Sequence, residues 1–329
     1  MKRATETVPR WWQPEGPLRL GISACLLGQK VRYDGNHKRD AFLVETLGNH
    51  VSWVPVCPEM ESGMPVPRPP VRLVQVRGGV RLIESDGEDD HTRSMQSWSR
   101  DRLEALEAMN LCGFVLKKDS PSCGMERVKI WRTDGTAVRE GRGLFASALM
   151  ERMPALPVEE EGRLQDHGLR ENFVERIFAF HRLKALFAPG WSRGDLVAFH
   201  TAHKLQLLSH SETAYRSLGR LVGRSKEVPR PVLRSRYEGL FMEALARSAT
   251  IRRHANVLQH MVGHFRKRLD PERRASVAAS IEDYRAGLVP LVVPLTLIGH
   301  HARALRVVYL TGQVYLQPHP RELMLRNHV

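Results

Sequence analysis

No stretch of this chain stays apolar for the roughly 20 residues that a bilayer crossing requires. The longest, 288–298, is interrupted by Pro290 and Pro294, so no membrane-spanning helix is expected. Cysteine is scarce: there are four in 329 residues, no two closer than eleven positions. That spacing excludes a disulfide scaffold, the Cys-x-x-Cys dithiol of thioredoxin-like enzymes and the paired ligands of a structural zinc site. The 25 glycines and 20 prolines follow no period, which removes collagen-like and low-complexity classes. There is no internal repeat. Gly141-Arg142-Gly143 lacks the spacing of a dinucleotide-binding turn, so no nucleotide cofactor is expected there. The opening Met1-Lys2-Arg3-Ala4-Thr5-Glu6 leads into no apolar run, and the expectation is a cytoplasmic protein.

What is present is globular: 42% hydrophobic and 26% charged residues, enough for two cores of ordinary domain size. Acidic residues are the scarcer charge, 36 against 50 basic, for a net +14. The imbalance sits in the second half, where 151–329 hold 28 basic and 17 acidic side chains and twelve of the fifteen histidines. A charge of +11 on one half points to a polyanionic partner.

Short apolar runs at 18–23, 51–56 and 113–117 read as strands, 71–83 as a hairpin about Gly78-Gly79, and 94–110 as an amphipathic helix. Strand, helix and strand in alternation predict an α/β fold, a Rossmann-like domain with a largely parallel sheet over 1–160. Pro154-Ala155-Leu156-Pro157 and the following Glu159-Glu160-Glu161-Gly162 read as its edge or linker. Beyond it, helical periodicity over 169–186, 192–209, 237–269 and 271–287 predicts a mostly α-helical domain at 161–329. Seven basic residues and two prolines within 216–236 read as a mobile basic loop facing phosphates.

Three cysteines share a setting. Cys25, Cys57 and Cys123 each follow a predicted strand, and in an open α/β sheet that edge is where ligands bind. Cys112 precedes its strand, about 15–20 Å from that edge, and is expected to be a small buried side chain. Three converging thiolates suit an iron–sulfur cluster with one iron left open; otherwise they are core cysteines. His200 with His203, and His260 with His264, can each share a helix face, where buried hydrogen-bonded histidines and RNA-facing side chains are expected more readily than a second metal site.

Several motifs then stand together: Gly21-Ile22-Ser23-Ala24-Cys25-Leu26-Leu27-Gly28, Val31-Arg32-Tyr33-Asp34-Gly35, Pro55-Val56-Cys57-Pro58-Glu59, Pro67-Arg68-Pro69-Pro70, Leu116-Lys117, Ser120-Pro121-Ser122-Cys123-Gly124 and Gly141-Arg142-Gly143-Leu144-Phe145-Ala146. They resemble the thiouracil desulfidase family. Phe199-His200-Thr201, His203-Lys204, His254-Ala255-Asn256-Val257-Leu258, Tyr315-Leu316 and Pro318-His319-Pro320 resemble the helical domain fused to it. The combination is similar to the bacterial desulfidases that return 4-thiouridine in tRNA to uridine.

The resemblance implies a 4Fe-4S cluster on Cys25, Cys57 and Cys123 and non-redox hydrolysis of a C=S bond, with Glu59 as acid/base and Ser120 as orienting hydroxyl. Ser23, Tyr33, Asp34, Asn36, His37, Lys38, Arg68 and Ser122 are expected about the base, with Arg68 placed to hold a phosphate. Thiolated tRNA is the implied partner. Free thiouracil or a related thiobase is the alternative substrate, and a cluster-based redox sensor binding nucleic acid is the alternative without catalysis.

Overall fold

The computed structural model describes residues 9–87, 89–132 and 134–329, so the opening six residues lie outside the described residues. Strands and helices are numbered in chain order. Strand β1 (Arg19–Ser23) pairs in parallel with β2 (Ser52–Val56) on one side and β5 (Gly113–Leu116) on the other, and β8 (Val158–Glu160) continues the sheet beyond β5, giving the order β2-β1-β5-β8. Every residue of β5 is buried, which is why that strand reads as an unbroken apolar run. Helix α2 (Thr92–Ala108) buries Met95, Ser99, Leu103 and Leu106, and α3 (Leu144–Arg152) sets Phe145 edge-on to Phe114 of β5 at 5.7 Å.

A second sheet stands beside these elements. The hairpin of β3 (Val71–Val76) and β4 (Gly79–Glu84) turns through Gly78 at φ 102° and Gly79 at φ 138°, values that glycine adopts without strain. A second hairpin, β6 (Val128–Trp131) and β7 (Ala137–Gly141), joins it through β3 and β6. The fold class is α/β.

The acidic run expected as a linker is a strand end. Glu159 accepts from Arg163 Nε at 2.6 Å, Glu160 from the Met125 N–H at 2.6 Å, and Glu161 from the Lys118 N–H at 2.8 Å. With each carboxylate satisfied, the run can close the edge of the sheet.

The chain divides into two compact units, Pro17–Gln165 and Asp166–Val329, the latter joined by the described residues of Met1–Gly16. Residues 9–16 therefore go with the helices and not, as their place in the chain suggested, with the sheet. Trp11 is the reason: it is 4% exposed and packs edge-on to Phe199 at 5.1 Å. Trp11→Ala should cost about 3–5 kcal/mol, as removal of a buried tryptophan does. Denaturant unfolding of the full chain should show that loss in the helical transition alone.

The helical unit consists of α4 (His167–Leu186), α5 (Arg193–His210), α6 (Glu212–Gly223), α7 (Arg230–Ala246), α8 (Ile251–Gly263), α9 (Pro271–Arg285), α10 (Val292–Ala304) and the single turn α11 (Val308–Thr311). Asp166, Ser192, Ser211, Thr250 and Asp270 cap five of them, each side chain accepting the N–H three residues on. The helix expected over 237–269 is two, because Thr250 starts α8. The segment 216–236 is not a mobile loop. It is the end of α6, the turn Ser225–Glu227 and the start of α7, where Pro231 occupies a first-turn position whose N–H has no helical partner in any case. Arg230 and Arg234 lie over the Trp191 and Phe187 rings at 4.6 and 5.7 Å.

Candidate active site

The connections leaving β1 and β5 run to opposite sides of the parallel sheet, so its topological switch point lies between them. The loops after β1, β2 and β5 bring Cys25, Cys57 and Cys123 onto one cavity of about 360 Å³. Cys25 sits in the turn Ala24–Leu27, closed by Gly28 at φ 95°. Cys57 stands just ahead of α1 (Pro58–Glu61), its N–H donating to Glu61 at 2.9 Å. Ser120 Oγ accepts the N–H groups of Ser122 at 3.2 Å and Cys123 at 3.1 Å, which curls the third loop into place. A Cβ on Gly143 would lie 2.4 Å from the Ser122 carbonyl oxygen, so only glycine lets the start of α3 press against this loop.

Burial pushes the Cys25 thiol up to about 11, with Cys57 adding to the rise. Burial also raises Cys57, and raises Cys123 well above the ordinary thiol value, with Glu59 and both other cysteines contributing there. The three sulfurs therefore sense one another and stay protonated unless a cation joins them; coordination to a metal deprotonates a thiol outright. Among the described residues no group of three or more His, Cys, Asp or Glu side chains is gathered as one ion demands. Soft donors spread about a cavity fit a group that offers each thiolate a different metal atom, as an iron–sulfur cluster does. Cys112 lies at the opposite end of β5, 1% exposed, its N–H donating to Arg19 O at 2.8 Å.

Glu59 lines the cavity and is held from two sides. Ser122 Oγ donates to its Oε1 at 3.0 Å, and Arg68 pairs with its Oε2. Arg68, 8% exposed, also donates to the Pro65 and Val31 carbonyls at 3.0 and 3.2 Å. Its guanidinium is thus engaged with Glu59 and with backbone, where a phosphate contact had been expected. Ser122 is fully buried behind the carboxylate.

Ser23, Tyr33, Lys38, Arg68 and Ser120 line the cavity. Ser23 Oγ accepts the Lys117 N–H at 2.9 Å. Asp34, Asn36 and His37 are outside the lining: Asp34 accepts the Asn36 N–H at 3.1 Å and pairs with Arg32 at 3.4 Å, and His37 Nδ1 accepts the Arg39 N–H at 3.2 Å. Sequence reasoning passed over the cations of the rim, Arg32, Lys117 and Lys118. Lys117 Nζ lies 2.5 Å from Glu161 Oε1. The signal for the lysines was their place at the end of strand 113–117, the same edge that marked Cys123.

In the helical unit His200 Nδ1 meets the Tyr237 hydroxyl at 3.1 Å and His203 Nδ1 the Phe199 carbonyl at 2.7 Å. Burial lowers His200 to about 4 and also lowers His203 well below the ordinary imidazole value, which favours the neutral form of both. His260 and His264 line a cavity instead.

Residues 20–161 match the family model described as 2-thiouracil desulfurase, and residues 204–320 match one described as DUF1722, a protein of unknown function. The uncharacterized protein YbgA of Escherichia coli (strain K12) is 37% identical over 153 residues, 46% of this chain and 90% of its own length. The uncharacterized protein YbbK of Bacillus subtilis (strain 168) is 29% identical over 136 residues, 40% of this chain and 88% of its own. A solved [4Fe-4S]-dependent thiouracil desulfidase, TudS, aligns with 30% identity over 47% of this chain and 99% of its own, at a TM-score of 0.38.

Proposed function

Because the chain belongs to the 2-thiouracil desulfurase family, through residues 20–161, and carries a DUF1722 domain after it, we propose that it is a desulfidase that removes sulfur from 4-thiouridine in tRNA. The observation that carries the chemistry is the convergence of Cys25, Cys57 and Cys123 with Glu59 on one cavity. Cys25, Cys57 and Cys123 would hold the 4Fe-4S cluster. Held by three protein ligands, it would supply a soft Lewis acid able to polarise a thiocarbonyl.

The overall change is hydrolysis: water and C=S give C=O and hydrogen sulfide, with no net electron transfer. Water must lose protons and sulfur must gain them; of the two carboxylates that line the cavity, Asp119 is exposed and paired with Arg139 at 3.1 Å, which leaves Glu59 to move them. Ser122 and Arg68 fix the direction of that carboxylate. Ser120 shapes the loop bearing Cys123, and Tyr33 and Lys38 border the opening through which a base enters. A cavity of about 360 Å³ is of small-molecule size, so one nucleobase enters and the polynucleotide stays outside.

The choice of tRNA rests on the second half of the chain, whose excess of eleven positive charges has no use in the hydrolysis of a free base. The thiolated base must leave its stack to reach the cavity, at a cost of a few kcal/mol.

Anaerobic reconstitution with iron and sulfide, followed by sulfide release from 4-thiouridine-containing tRNA and from free thiouracil, tests the reading. The expected result is an iron–sulfur absorption band and faster release from tRNA. Release from the free base alone would overturn the tRNA assignment. A stable cluster with no release from either would replace the enzyme by a nucleic-acid-binding sensor.

A further inference from the structure

Three cavities adjoin along α5 within the helical unit. The first, of about 500 Å³, is bounded by Trp12, Thr201, Tyr309 and Gln313 among others. The second, of about 330 Å³, shares Tyr309 and adds Lys204, Tyr215, Arg216, His260 and His264. The third, of about 520 Å³, shares Leu208 and Glu212 with the second and adds Thr250, Arg252 and Arg253. On α5 the walls run from Ala198 to Leu208, a helical rise of about 15 Å. The shared residues make one trough of the three.

Its chemistry alternates rings and cations. Trp12, Tyr309 and Tyr215 are half-buried, and His264 lies against Tyr309 with centroids 4.7 Å apart. Lys204, Arg252 and Arg253 pair with no carboxylate among the described residues, and Arg253 donates to the His210 carbonyl at 2.9 Å. Glu212 is the one acid among the described residues that bound the trough, and it is already paired with Arg216 at 2.6 Å. A groove whose cations track a backbone while aromatic faces take successive bases is the arrangement that binds single-stranded nucleic acid. A duplex keeps its bases inside and presents no faces to such walls.

We propose that this trough binds a short single-stranded segment of RNA, its bases against Trp12, Tyr309 and Tyr215 and its phosphates along Lys204, Arg252 and Arg253. The proposal rests on the reading of RNA as the substrate and says where the helical unit holds it. Of the basic segment 216–236 only Arg216 bounds the trough among the described residues, and it is paired with Glu212; Arg230 and Arg234 lie over the protein's own rings.

The test is fluorescence anisotropy of a labelled five-nucleotide oligouridylate with the full chain over a salt series. Wild type should bind, with affinity falling as salt rises. Tyr309→Ala should weaken binding roughly tenfold or more, the loss of one stacked base, and Tyr309→Phe should restore it. Lys204→Gln removes one positive charge from a half-buried side chain at little change in size and should lower the log–log salt slope by about 0.7. Both variants should turn over free thiouracil as wild type does. Unchanged affinity and slope in Tyr309→Ala and Lys204→Gln would overturn the trough, as would equal binding of an acidic peptide, which would make it an acidic-protein site. The two readings fail separately. Trough-dependent oligouridylate binding without sulfide release from tRNA leaves the trough and removes the tRNA reaction. Normal release from tRNA by both variants does the reverse.

Discussion

Alanine at any one of Cys25, Cys57 or Cys123 is expected to abolish bound iron and sulfide release together. Each thiol comes from the end of a different strand, so the loss of one cannot be made good by a neighbour on the same loop. Two remaining thiolates would leave half of a four-iron cluster without protein ligands. Cys112→Ala should retain both iron and activity, since Cys112 lies at the other end of β5. Iron analysis, the visible spectrum and sulfide release on the four variants read the result directly. If Cys112 were needed for the cluster and one of the other three were not, the assignment of ligands by strand end would be wrong.

The second large effect is expected at Glu59. Glu59→Gln should keep the iron and lower turnover by about 10²–10⁴, the usual loss when a positioned acid or base is removed. The structure adds a second consequence. Glutamine can still accept the Ser122 hydroxyl, yet it leaves the Arg68 guanidinium, 8% exposed, without its counter-charge. Some loss of stability should accompany the loss of rate, because a buried charge stripped of its partner is costly. Iron content and a melting curve separate the two. Sulfide release close to wild type would transfer proton movement to another residue.

The parallel sheet was legible in the sequence because β5 is an unbroken apolar run and β1 is apolar at Leu20 and Ile22 between turn residues, and the end of such a strand locates a ligand edge without further information. Cys25, Cys57 and Cys123 were found that way. What was not legible depends on partners distant in the chain. Strand β8 carries two glutamates with a third, Glu161, directly after it, and reads as solvated until Arg163, Met125, Lys117 and Lys118 are seen to satisfy them. Strands β6 and β7 are short, with Lys129, Arg139 and Glu140 exposed, and so show little alternation. Arg68 looked like a phosphate ligand because a sequence shows charge and not the carboxylate that occupies it. The prolines of 216–236 were rightly breakers of a continuous helix, but a proline in a first turn begins a helix as well as ending one.

The excursion of the chain through the α/β unit between Gly16 and Asp166 sets an order of events during synthesis. Trp11 is made before the α/β unit, whereas Phe199, against which it packs, is made 188 positions later. At about 5–20 residues per second that is a delay of roughly 10–40 s. The α/β unit has all of its residues well before the helices do, so it can close as a finished loop while the first tryptophans wait in solvent. Trp12, at one end of the trough, takes its place only when α5 and α11 exist. A growing chain therefore completes its three-cysteine cavity before the trough of the helical unit, and a stop ahead of Phe199 leaves the α/β unit with an aromatic segment and nothing to fold it onto.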